Sequence, residues 1–141
     1  MASINFFTEN TNYKLPNKRK LKTWIADAIA AEGFGLDEMN FIFCNDEYLL
    51  EMNQKYLDHD TFTDIITFDN SEVSKQITSD VFISIERVIE NAKLFKITTY
   101  DEVCRVMIHG ILHLLGYGDK RKPEKTKMTE MENFYLEKRV L

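Results

Sequence analysis

Apolar residues return along this chain in two periods, and the two periods predict a succession of strands and helices. SINFF, residues 3–7, reads as a first strand. In LPNKRKLKTWIADAIAAEGFG, Leu21, Trp24, Ile25, Ala28 and Ile29 share one helical face. Pro16 precedes that pattern, and Gly33 and Gly35 end it. NFIFCN is apolar on both sides of its alternation, the pattern of an interior strand. DEYLLEMNQKYL reads as a second helix, and DIITF, residues 64–68, as a third strand. VSKQITS reads as a polar connection. DVFISI, a fourth strand, runs straight into the helix of SIERVIENAKLF. There Ser84 is placed to cap, and Ile85, Val88, Ile89 and Ala92 share a face. Thr99 and Glu102 form a capping-box pattern and predict a helix over residues 100–115, ended by Gly116. GYGDKRKPEKTK reads as a loop. Thr129 and Glu132 repeat the capping-box spacing and predict a last helix, EMENFYLEKRVL. This order belongs to the α+β class: a small mixed sheet of about four strands packed with about five helices.

At 141 residues the chain suits a single domain, residues 1–141, with one hydrophobic core. A net charge of −5 excludes a uniformly basic nucleic-acid coat, so any RNA contact must come from a local patch. Lys18, Arg19, Lys20 and Lys22 on the polar face of the first helix are either solvated or such a patch. Cys44 and Cys104 lie far apart in apolar runs, and there is no CxxC. They read as buried free thiols in a reducing compartment, not as zinc ligands. The N-terminal MASINFFTENTN is too polar for a signal peptide. No run approaches the roughly 20 apolar residues of a membrane span. The expectation is a cytoplasmic protein that does not enter a membrane.

The candidate chemistry sits in DEVCRVMIHGILHLLG. Val103, Val106, Met107, Ile108, Ile111, Leu112, Leu114 and Leu115 cover most of its circumference, so this helix belongs in the core. One narrow stripe differs. Glu102, Arg105, His109, His113 and Gly116 follow one another at helical spacing along one line. The two imidazoles lie about 6 Å apart along the axis and are rotated by only about 40°. A pair of histidines hydrogen-bonded in the core is the bland alternative. The shared polar stripe, the helix-ending glycine and a downstream carboxylate favour an ion instead. Gly116 tolerates the positive φ of a sharp turn. Tyr117 and Gly118 lead the chain around, and Asp119 can swing back toward the ion. Two imidazoles and a carboxylate make a zinc set with a fourth position open to water.

The spacing H-x3-H-x5-D, with glycine three residues after the second histidine, resembles the extended zinc-peptidase pattern and predicts a zincin-like metal helix. That pattern places a glutamate general base after the first histidine. Here the residue is Gly110. A metal alone lowers the pKa of its water to about 7, so hydrolysis stays possible without the peptidase base. This favours a substrate of different geometry, such as a phosphodiester.

HGILHLLGYGD, residues 109–119, resembles the signature HGxLHLxGYxH of the YbeY endoribonucleases, the ribosomal RNA maturation factors. EMNQKYLDHDTFTDIITF is similar to the family's LNxxY…D…TDVLSF, with Asn53, Tyr56, Asp60, Thr63, Asp64 and Phe68 matching. SDVFIS, residues 79–84, is similar to a third block, GDI-IS. The resemblance implies a bacterial metal-dependent endoribonuclease, specific for single strands. Its implied work is maturation of the 3′ end of small-subunit ribosomal RNA, and ribosome quality control. Ribosomal RNA and the small ribosomal subunit are the implied partners. The implied metal is zinc, with manganese and nickel as alternatives, and His109 and His113 match the first two ligands.

The chain departs from the family at the third ligand, where Asp119 stands for histidine, preceded by Gly118 for aspartate. A carboxylate is an acceptable zinc ligand. It also donates charge, which makes a bound water less acidic and widens the choice of metal toward manganese. Leu57 stands where many members carry arginine, a residue suited to bidentate phosphate contact. Arg105 is a candidate substitute, against the alternative of an ion pair with Glu102 or Asp101. Lys120, Arg121 and Lys122 are either a solvated run or placed to receive the RNA backbone. His59 reads as a loop residue outside the ligand set. Asp64 and Asp80 match family positions and read first as turn or strand-start residues, then as partners of a histidine ring.

Three functions follow. One is a zinc endoribonuclease that uses the water of its metal, with no general base identified. Another is a metal-dependent peptidase whose glutamate comes from elsewhere. The last is a non-catalytic ribosome-associated module in which the ion only staples helix to loop.

Overall fold

The computed structural model describes residues 2–57 and 63–139 and, of Leu57, the backbone alone. His59 and Asp60 lie outside the described residues. The elements are β1 (Ser3–Thr8), α1 (Lys18–Ala31), β2 (Gly35–Cys44), α2 (Asp46–Leu57), β3 (Ile65–Asp69), β4 (Gln76–Ser84), α3 (Ile85–Phe95), α4 (Thr99–Leu114) and α5 (Lys122–Leu136). The class is α+β, with a mixed four-stranded sheet in the order β1-β2-β4-β3. β1, β2 and β4 run parallel, and β3 runs antiparallel to β4. β2 lies in the interior, as its continuous apolar pattern requires.

Alternation along the strands separates two cores. Met39, Phe41 and Phe43 of β2 join Val81 and Ile83 of β4 beneath α1 and α4. On the other face, Cys44 and Ile66 pack with Leu49 of α2. α1 buries Leu21, Trp24, Ile25, Ala28 and Ile29, the face read from the sequence. Trp24 Nε1 donates to the carbonyl of Tyr135 at 2.7 Å, which ties α1 to α5. Ser84 caps α3 by accepting from the Arg87 amide. Cys44 and Cys104 are buried free thiols.

Several boundaries differ from those expected. Gly33, at φ 83°, does end α1, but Gly35 opens β2. β4 starts at Gln76, so much of the expected polar connection is strand. Its polar residues have partners supplied by distant segments. Thr78 Oγ1 donates to Asp37 at 2.9 Å, and Ser79 Oγ donates to the Phe68 carbonyl at 2.8 Å. The cap of α4 is Thr98, which accepts from the Asp101 amide at 3.0 Å, not Thr99. α5 starts at Lys122, well ahead of the expected Thr129–Glu132 box. The Arg121 amide donates to Glu124 at 3.0 Å, and Pro123 sits in the first turn, where its missing N–H costs nothing.

α4 lies against the sheet through Gly110. A Cβ at that position would sit 2.7 Å from Ile65 Cδ1 and 3.3 Å from Thr67 Cγ2. A peptidase-type glutamate there would collide with β3. Gly110→Glu should lower unfolding free energy by about 3 kcal/mol or more, through overpacking and a buried charge. Urea denaturation measures this, and unchanged stability would refute the contact.

Candidate metal centre

α4 supplies two donors, and the turn after it supplies a third. Gly116, at φ 105°, donates to the His113 carbonyl at 3.0 Å, and the Tyr117 amide donates to the Leu112 carbonyl at 3.0 Å. These two bonds form the Schellman arrangement that reverses a chain after a helix. The returning loop is held by Glu32, beside the end of α1. Glu32 accepts from the Tyr117 hydroxyl at 2.7 Å and from the Tyr135 hydroxyl.

The reversal brings Asp119 back to the histidines. Asp119 Oδ2 lies 3.3 Å from His109 Nε2 and 3.1 Å from His113 Nε2. One donor atom from each residue falls within 4.8 Å of the others. Among the described residues, no other group of three or more His, Cys, Asp or Glu converges in this way.

The other side of His109 is fixed by a residue that spacing did not single out as part of the site. His109 Nδ1 donates to Glu132 Oε2 at 2.6 Å, and Glu132 is buried. With its proton on Nδ1, a neutral ring turns the lone pair of Nε2 toward the Asp119 carboxylate. A proton or a cation must then separate the two acceptors. Burial pushes the His109 pKa down, but the Glu132 bond and the charges of Glu132, Asp119 and Asp64 outweigh it, and the net shift is upward. This concentration of negative charge around two imidazoles suits a divalent cation.

Glu132 also pairs through Oε1 with Arg105 Nη1 at 2.9 Å, while Arg105 Nη2 donates to Asn133 at 2.9 Å. The ion pair of Arg105 is therefore with α5, not with Glu102 or Asp101. Asp101 pairs with Arg139 at 3.1 Å. A carboxylate at Glu132 was detectable in principle. It falls between Met128 and Tyr135 on the buried face of α5, where the spacing calls for an apolar residue.

Asp64, Ile65, Arg105, Val106, His109, Asp119 and Glu132 line a cavity of about 290 Å³. Asp64 is half-buried there, and burial raises its pKa. Asp80 lies elsewhere, on the opposite sheet face, accepting from Asn40 at 3.0 Å. Glu102 of the polar stripe is buried, and its Oε1 has no partner. Burial first, and then the charge of Asp64, raise its pKa to about 7. Lys120, Arg121 and Lys122 are exposed beside Asp119, and Arg121 pairs loosely with Glu124 at 3.4 Å.

The fold is α+β, and a group of three donors that could hold a metal ion lies at the end of a core helix. The description Endoribonuclease YbeY matches residues 5–139, and the chain belongs to that family. A relative from Cytophaga hutchinsonii, named Endoribonuclease YbeY, is 50% identical over 95% of this chain and 94% of its own length. One from Amoebophilus asiaticus, of the same name, is 45% identical over 96% and 92%. The solution structure of TM1509 from Thermotoga maritima is similar at a TM-score of 0.65 and 30% identity, covering 96% of this chain and 87% of that one. Among the described residues, no helix is long and apolar enough to cross a membrane.

Glu132→Gln should weaken zinc affinity about 10–100-fold by loosening His109, as measured by competition with a chromogenic chelator. Equal affinity would remove Glu132 from the site. Glu102 has a second consequence. Its folded pKa is raised, so its contribution to stability is full below about 4.5 and is lost as pH rises through about 7. Glu102→Gln should therefore match the natural chain near the acid end of that window. Above it the variant should be more stable by about 1–3 kcal/mol, read from thermal melts.

Proposed function

We propose that the chain is a single-domain, cytoplasmic, zinc-dependent endoribonuclease that cuts single-stranded RNA, with His109, His113 and Asp119 as metal ligands. The convergence of three donors, two of which line a cavity together with Arg105, carries this reading. Its substrate in this reading is the 3′ end of small-subunit ribosomal RNA, met on the small ribosomal subunit. When bound, the cation supplies Lewis acidity to a phosphoryl oxygen and to water. Manganese suits two imidazoles less well than zinc does, whereas nickel accepts the same donors.

The chain's own residues do the rest. Glu132 holds the His109 ring with Nε2 facing the ion position. Glu32 holds the loop that carries Asp119. Arg105 is 33% exposed at its side chain and keeps donors at the cavity while paired with Glu132. Lys120, Arg121 and Lys122 offer charge to the backbone on either side of the cut phosphate. In this reading α4 serves as a zincin-like metal helix. The peptidase reading loses ground because Gly110 is committed to packing against Ile65 and Thr67.

The test uses RNA that ends in the small-subunit 3′ sequence. The natural chain should hold about one zinc per molecule and cleave only when loaded. His113→Ala should lose the metal and cut at least about 100-fold more slowly, with Asp119→Asn intermediate. Retained metal and cleavage in His113→Ala would refute the site. Intact RNA with a cleaved peptide panel would establish the peptidase instead. If no substrate is cut and metal removal unfolds the chain, the ion is a staple.

A further inference from the structure

A second cavity lies on the sheet face turned away from α4. Val81 meets α4 beside Gly110, so its neighbours Asp80 and Phe82 point to the other side. There α2 packs over β3 and β4, with Tyr48 against Phe82 and Tyr56 against Phe68. Toward β1 and β2 the face is left open, part of a cavity of about 740 Å³ that is also lined by Phe6, Leu15 and Phe43 of the core side. Phe7, Ile42 and Phe82 form one row across the strands, Asn40 and Asp80 form the next row, and the exposed Lys14 and Lys18 also line the cavity. Phe7 is 51% exposed, although it is a large apolar residue within a strand.

The polar pair is held in place by neighbouring strands. Asn5 Nδ2 donates to Asn40 Oδ1 at 3.0 Å, and Asn40 Nδ2 donates to Asp80 Oδ1 at 3.0 Å. Asn70 approaches the other Asp80 oxygen at 3.5 Å. A carboxylate has about four acceptor sites, so this ladder fixes Asp80 without exhausting it. Lys14 and Lys18 are offset by Asp80 and Glu9, which also lines the cavity. A bare phosphate therefore meets no net positive charge. The fitting ligand offers a flat face to aromatic side chains, paired donors to a carboxylate and a phosphate to ammonium groups. A guanine nucleotide does all three, because the Watson–Crick edge of guanine carries two adjacent donors. Adenine and cytosine place an acceptor beside their donor.

We propose that this cavity binds an unpaired guanine of the RNA strand, stacked against Phe7 and read by Asp80, on the sheet face opposite the metal centre. The proposal rests on the endoribonuclease reading. It makes the sheet a single-strand platform in which aromatic stacking and basic side chains act together.

The test is fluorescence anisotropy with cleavage-resistant 2′-O-methyl RNA, one short oligomer of uridines and one with a central guanine. The zinc-loaded natural chain should prefer the guanine oligomer, and the near-isosteric Asp80→Asn should erase that preference. Phe7→Ala removes an exposed side chain and should weaken both oligomers about 10-fold. Circular dichroism shows whether each variant is folded, and Lys14→Ala, at an exposed position, gives an independent arm with weakened binding. No guanine preference in the natural chain, or unchanged binding by folded Phe7→Ala and Lys14→Ala, overturns the proposal. If unmodified RNA is still cut in that case, the endoribonuclease reading stands. If RNA is neither bound nor cut, both fall. If guanosine monophosphate competes as tightly as the RNA, the cavity serves a free nucleotide and the RNA proposal is wrong.

Discussion

The structure turns on how closely α4 approaches the sheet. Gly110 has no Cβ, and Ile65, Thr67 and Val81 fill the space that one would occupy. That contact sets α4 against β3 and β4 and so places His109 at the edge of the sheet, next to Asp64. A larger residue would have to displace the tip of Ile65 and crowd Thr67 beneath the helix. The glycine at the position of a peptidase base is therefore a packing residue. It also explains why a helix that is apolar around most of its surface can still present a narrow polar line.

Along that line, charge is organised by α5. Arg105, Glu132, His109 and Asp119 form one connected run of ion pairs and hydrogen bonds. Glu132 is its centre, pairing with a cation on one oxygen and an imidazole on the other. Buried charge of this kind is costly unless every member is satisfied. Glu132, on α5, has a partner on each oxygen, whereas Glu102, in the α4 stripe, has an unpartnered oxygen and a pKa raised chiefly by burial. Burial alone does not separate them, since both are almost fully enclosed.

The two faces of the sheet divide the work. Val81 and Ile83 face the core under α4, while Asp80 and Phe82 face the open cavity. A single register on β4 thus supports α4 on one side and lines the open cavity on the other. Slipping that strand by one residue would exchange the two sets and destroy both.

The sequence by itself determined the elements with strong periodicity and the chemistry with fixed helical spacing. The buried face of α1, the Ser84 cap, the interior position of β2 and the pairing of His109 with His113 depend on neighbours within a few residues, so local pattern reveals them. The same is true of the turn at Gly116 that returns Asp119. Motifs in three blocks carried the family. Tertiary structure alone decided what depends on distant partners. The first residues of β4 are polar and become strand because β2 pairs with them. The early start of α5 is by contrast local, set by Pro123 and the bond from the Arg121 amide to Glu124, although the mixed charge of this segment reads as loop. Arg105 finds its partner on another helix, and Glu132 comes to His109 across 23 residues. Spacing fixes which side chains share a face of one element. Which faces meet is fixed only when the whole core closes, because burial is summed over elements far apart in the chain.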